Sequence, residues 1–175
     1  MSSFFHRIEY HMMALTFMVR EMFLSPEKLL AETGITKGFQ VLDYGCGIGS
    51  HSVAAAKIVG SKERVYAADI NPTALKYVKK AILRNCLENV EVIKTGYILN
   101  LPDDSMDVVL LYDVYHVLKK PRKAIGELYR VLKDDGILSF TDHHMKEKDI
   151  ILQLTGDGLF MLAHKGNRTY TFRRL

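Results

Sequence analysis

Val41-Leu42-Asp43-Tyr44-Gly45-Cys46-Gly47-Ile48-Gly49-Ser50 is the stretch on which the reading of this chain turns. An apolar, β-prone pair leads to an acid, three glycines follow at alternate positions, and the helix-forming run Val53-Ala54-Ala55-Ala56 comes next. That order spells strand, tight turn and helix N-terminus. Such a junction suits a nucleotide. Glycines take turns that a Cβ forbids and let a ligand lie almost on the main chain, and the first N–H groups of the helix have no partner within it.

The spacing of the glycines narrows the ligand. A dinucleotide fingerprint, G-x-G-x-x-G, would place its third glycine at position 50, which is Ser50. The chain instead has G-x-G-x-G behind Asp43, and a carboxylate there repels a pyrophosphate but attracts an ammonium or sulfonium charge. Asp43-Tyr44-Gly45-Cys46-Gly47-Ile48-Gly49 resembles motif I of the class I S-adenosylmethionine-dependent methyltransferases.

Composition sets the bounds. The 175 residues, 48% hydrophobic and 25% charged, fit one domain with a sizeable core. No apolar run reaches the ~18 residues of a membrane span. The N-terminus lacks the charged start, apolar middle and cleavage site of a signal peptide, so a cytoplasmic location is expected. The cysteines, Cys46 and Cys86, form no C-x-x-C pair and read as small buried residues. A net charge of +4 is far from the basic stripe of a nucleic-acid binder, and the run Lys119-Lys120-Pro121-Arg122-Lys123 has no interleaved aromatics for base stacking. Neither nucleic acid nor membrane is an expected partner.

Working outward, residues 5 to 22 place Phe5, Ile8, Met12, Leu15, Val19 and Met22 at helical intervals. Ser25-Pro26-Glu27 caps and opens a second helix ending near Gly34. Residues 1 to 33 are thus expected to form a helical cap, with the Met-rich and aromatic first helix and the 143 to 157 segment closing over a site. Residues 34 to 175 are expected to form a Rossmann-like core within one domain, 1 to 175. Strands end at Asp43, at Asp69, before Gly96, at Asp113 and at Thr141, with helices between them, one opened by Asn71-Pro72 and one running from about Arg122 to Leu132. Such alternation argues a parallel sheet covered on both faces. Beyond a helix near 147 to 154, Lys165-Gly166-Asn167 reads as a turn with residues fit for positive φ between two strands, which makes one edge antiparallel. A doubly wound, mostly parallel sheet finished by such a hairpin resembles the seven-stranded arrangement of the same methyltransferases.

Ligands of open α/β sheets lie beyond the carboxyl ends of the strands, which makes each strand end a candidate contact. Asp69 follows Gly49 by 20 residues and suits the two hydroxyls of a ribose. The resemblance implies S-adenosylmethionine as cofactor, with Asp43 at its methionine end, Gly47 and Gly49 under its carboxypropyl arm and ribose, Ile70 against the adenine, and Tyr44, Gly45, Gly96, Tyr97 and Tyr112 completing the site. Similar enzymes often have Gly-Asp where this chain has Gly96-Tyr97. Asp113-Val114-Tyr115-His116 lacks the Asn/Asp-Pro-Pro-Tyr/Phe of members that modify DNA or glutamine, and resembles the broad "type 11" group acting on small molecules, which includes quinone-ring and sterol C-methyltransferases.

Methyl transfer needs in-line placement and a dry pocket, with a base only if the acceptor must lose a proton early. His116 is the leading candidate for that base. His143 and His144 come second, with one at most expected to face the pocket because neighbours on an extended segment point opposite ways. With His116 and Asp142 they could form a metal site, but no ligand-spacing motif marks one and no metal is expected. The expected function is methyl transfer to a small-molecule acceptor. The alternatives are an RNA methyltransferase, a non-catalytic S-adenosylmethionine-binding module, and, least favoured, an NAD-dependent oxidoreductase.

Overall fold

A computed structural model describes residues 25–175, so the expected helix over 5 to 22 lies outside the described residues. The elements run α1 (Pro26–Ala31), β1 (Val41–Tyr44), α2 (Ser50–Val59), β2 (Val65–Asp69), α3 (Pro72–Arg84), β3 (Val90–Lys94) and β4 (Met106–Tyr112). They continue through a 3-10 turn (Tyr115–Val117) to α4 (Pro121–Val131), β5 (Leu132–Thr141), α5 (Glu147–Thr155), β6 (Phe160–Lys165) and β7 (Tyr170–Arg174). The seven strands form one sheet in the order β3-β2-β1-β4-β5-β7-β6. Pairing is parallel from β3 to β5 and antiparallel on both sides of β7. The doubly wound α/β sheet with its C-terminal hairpin is therefore as the sequence implies.

Side-chain alternation along β4 divides the core into two layers. Val108, Leu110 and Tyr112 turn toward the layer that holds Leu29 and Leu30 of α1 and Ala54, Ala55, Ala56 and Val59 of α2. Val109 and Leu111 turn to the other face, with Ala124, Ile125, Leu128 and Val131 of α4, Ile150 and Leu154 of α5, and Phe140, Phe160 and Phe172. Full burial of an aliphatic or aromatic side chain contributes roughly 1.5–3 kcal/mol, and strands buried on both faces must be apolar throughout.

Several local expectations change. The strand expected from Gly136 starts at Leu132, directly after α4, because the polar Lys133-Asp134-Asp135 run is absorbed as an irregularity in the register between Met106↔Leu132 and Val108↔Ile137. At the hairpin turn neither Gly166 nor Asn167 has positive φ. A Cβ on Gly166 would press on the Glu32 carboxylate, which would have to shift to make room. Cys46 is buried as expected, but Cys86, just past α3, is exposed with φ 50°. In α5, Ile150 and Leu154 are 3% and 1% exposed, and the Tyr115 hydroxyl donates to Gln153 Oε1 at 3.1 Å, so this helix is part of the packed layer.

Candidate functional site

The strand order reverses between β1 and β4, which marks the crevice in which an open α/β sheet takes its ligand. The glycine turn lies there, hung from β2 by Gly45 N and Cys46 N, which donate to Ala68 O at 2.8 and 3.0 Å. Its three glycines answer different demands. A Cβ on Gly45 would run into Val114 from the loop after β4, and one on Gly49 would meet Val78 of α3 at 3.0 Å, so these two allow close packing. Gly47, at φ 53°, has nothing within 4 Å of where a Cβ would stand. It is the member of the turn that faces open space, as a cradle for a bound molecule requires.

Asp69 closes this space at the tip of β2. Its carboxylate accepts from Gly47 N at 3.0 Å and from Asn71 N at 2.7 Å, which ties the turn to the start of α3. Burial raises the Asp69 carboxyl above the usual carboxylate range, and the N–H groups of Asn71 and Gly47 offset part of that rise. Ile70 beside it is 68% exposed, too open for a core residue, and its Cδ1 would lie 3.9 Å from a Cβ on Gly96. Tyr44 sets the far wall: its hydroxyl donates to Gly96 O at 2.7 Å, and burial pushes its pKa up to about 12. Gly47, Asp69, Ile70 and Gly96 thus fit the nucleoside of S-adenosylmethionine, with open backbone, a hydroxyl-accepting acid and an apolar ledge.

Two of the other expected contacts, Asp43 and Tyr112, sit deeper. Asp43 is one residue short of the strand end, 2% exposed, and accepts from Ser52 Oγ at 2.5 Å, so its side chain points beneath the turn toward α2. The Tyr112 hydroxyl shares a hydrogen bond of 2.8 Å with Ser139 Oγ inside the protein, where burial raises its pKa. Tyr97 accepts from Lys120 N at 3.1 Å, which fastens the loop after β3 to the start of α4.

The three histidines converge at the carboxyl ends of β4 and β5. His116 Nδ1 stands 2.9 Å from Asp142 Oδ2, which also accepts from His116 N at 3.1 Å. His143 Nδ1 stands 2.6 Å from Asp113 Oδ1, which also accepts from His143 N at 2.9 Å. His144 N donates to Asp142 Oδ1 at 3.1 Å. The expectation that His143 and His144 point opposite ways is overturned: the chain turns after Asp142, and their rings lie 3.8 Å apart, with His144 4.1 Å from His116. Asp113, at φ 54°, and Asp142 enter the group as partners of the histidines; the sequence marks Asp113 as a strand end and Asp142 as a candidate metal partner of the three histidines. Each lies directly after a strand, the same signal that singled out Asp69.

Comparison with known proteins agrees with this geometry. A family model described as a methyltransferase domain matches residues 35–170. A ubiquinone/menaquinone biosynthesis C-methyltransferase from Marinomonas sp. is 30% identical over 136 residues, 76% of this chain and 54% of that protein. An arsenite methyltransferase from Halobacterium salinarum is 31% identical over 114 residues, 64% of this chain and 29% of that protein. The chain therefore spans about half or less of the length of these curated relatives. The solved structure of a SAM-dependent methyltransferase from Aquifex aeolicus superimposes with a TM-score of 0.75 at 27% identity, covering 86% of this chain and 88% of that one. With the glycine turn, the acid at the tip of β2 and the seven-stranded order in place, the chain belongs to the class I S-adenosylmethionine-dependent methyltransferases.

Proposed function

We propose that this chain transfers a methyl group to a small-molecule acceptor held at the carboxyl ends of β4 and β5. One observation carries the reading: the cluster of His116, His143 and His144 begins beside Val114, whose side chain lies against Gly45 of the glycine turn, so acceptor-side and cofactor-side groups share one crevice. Bound S-adenosylmethionine supplies a methyl group activated by its sulfonium charge. The protein's part is to place the partners and exclude water. Asp69 accepts hydrogen bonds from the ribose, and Gly47 lets the ligand approach the main chain. Asp142 engages Nδ1 of His116, which leaves Nε2 to accept a hydrogen bond from an acceptor hydroxyl. Asp113-Val114-Tyr115-His116 lacks the two prolines with which DNA- and glutamine-modifying members hold a planar amide or exocyclic amine. Relatives named for ubiquinone/menaquinone biosynthesis C-methylation and for arsenite support an acceptor of small size.

The test is incubation with methyl-labelled S-adenosylmethionine and, in parallel, a panel of hydroquinones and phenols, arsenite, total RNA and ribosomal protein. Label is expected in the small-molecule arms, with His116→Ala lowering kcat/KM about tenfold or more, the worth of one hydrogen bond in a site. Label confined to the RNA or protein arm would overturn the reading.

A further inference from the structure

The carboxylates of Asp113 and Asp142 and the imidazole of His143 offer three ligand atoms that all lie within 4.8 Å of one another. Three points no further apart than that need stand no more than about 2.8 Å from a common centre. Movements of ~0.7 Å bring them to the ~2.1 Å bonds of a nitrogen and oxygen site. The donors are also graded in exposure. The Asp142 side chain is 0% exposed, that of Asp113 9% and that of His143 50%, so an ion seated on them keeps an open side toward the crevice.

We propose that Asp113, Asp142 and His143 bind a divalent first-row transition ion, with coordination positions left for an oxygen of the acceptor. Two carboxylates this close repel each other, and a divalent cation relieves that repulsion more fully than one shared proton. An imidazole beside two carboxylates favours a first-row ion such as manganese, iron, cobalt or zinc over magnesium and calcium, which prefer oxygen donors alone. The surroundings are those of a ligand set held in place. His116 secures Asp142 Oδ2 through both its ring and its N–H, His144 N donates to Oδ1, and His143 N orients Asp113. Three protein ligands with an open position are also the pattern of catalytic rather than structural metal centres. Val114, next to Asp113, packs on the glycine turn, so an ion here stands within the proposed crevice.

The ion's role toward the acceptor rests on the proposed function, but its binding does not, and the two are tested separately. Protein stripped with a chelator is titrated with Co2+, read by visible absorption, and with Mn2+, read by electron paramagnetic resonance, both without S-adenosylmethionine. One saturable site per chain is expected. Asp113→Asn and His143→Ala should each weaken it at least tenfold, while His164→Ala, on the exposed end of β6, leaves it unchanged. Circular dichroism confirms that each variant is folded; His143 is half exposed, so its replacement leaves the core untouched. No saturable binding, or binding that survives both Asp113→Asn and His143→Ala, would overturn the site and leave methyl transfer standing.

Discussion

Asp69 carries the largest assignment of any single residue. Its buried carboxylate already organises the turn through Gly47 N and Asn71 N, and burial raises its pKa, so keeping it ionised opposes folding slightly. A ribose that donates two hydroxyl hydrogen bonds rewards the ionised form. Asp69→Ala is therefore expected to weaken S-adenosylhomocysteine binding by about 1.5–3 kcal/mol, the range for hydrogen bonds to a charged group. Calorimetry on a folded variant reads this directly, and unchanged affinity would remove Asp69 from the site. Asp43 makes a different case. Because Ser52 Oγ donates to it in the interior, Ser52→Ala should cost about 1–3 kcal/mol of stability, as a buried carboxylate loses a donor. Denaturant unfolding measures that loss. No change in the midpoint would show that the other groups around Asp43 suffice.

Among elements, the C-terminal hairpin depends on a residue far away in sequence. Glu32, just past α1, accepts from Arg168 N at 3.1 Å, Thr169 N at 3.0 Å and Thr169 Oγ at 2.8 Å. Burial works to raise its pKa, but these donors outweigh burial and the carboxyl is held below its usual 4.5. A depressed folded-state pKa contributes stability above the unfolded value, and that contribution is lost as pH falls through the folded value. Protection of the β6 and β7 amides, taken relative to their intrinsic exchange rates, is thus expected to fall as pH drops below about 4.5 in the wild type, and to be low already at pH 7 in Glu32→Ala. Equal protection of the hairpin in both proteins at pH 7 would contradict the pinning role. This contact also marks how far the sequence could be read. Strand and helix positions were legible because apolar runs, Asn71-Pro72 and the glycine turn act over a few residues. The Glu32–Thr169 tie, the turn that stacks His143 on His144, and the pairing of Asp113 with His143 join distant positions or depend on one backbone angle, and no local pattern encodes them.

Over the whole molecule, the open Gly47, the acid and apolar ledge at β2 and the His–Asp cluster beyond β4 and β5 all lie at the carboxyl ends of the strands, and the family assignment ties the chain to one cofactor. Among the described residues no helix is long and apolar enough to cross a membrane. Thermal unfolding with candidate ligands is the most direct measurement. At 100-fold excess over Kd a ligand that binds only the folded state adds about 2.7 kcal/mol, or about 5–10 °C for a chain of this size. S-adenosylmethionine and S-adenosylhomocysteine should each raise Tm by this amount, and NAD and NADP should not. Gly47→Val should lose the shift while remaining folded, since no atom lies where its Cβ would stand, though its positive φ lowers the starting Tm. A rise in Tm with NAD and none with S-adenosylmethionine would contradict the cofactor assignment and, with it, the role given to every strand end.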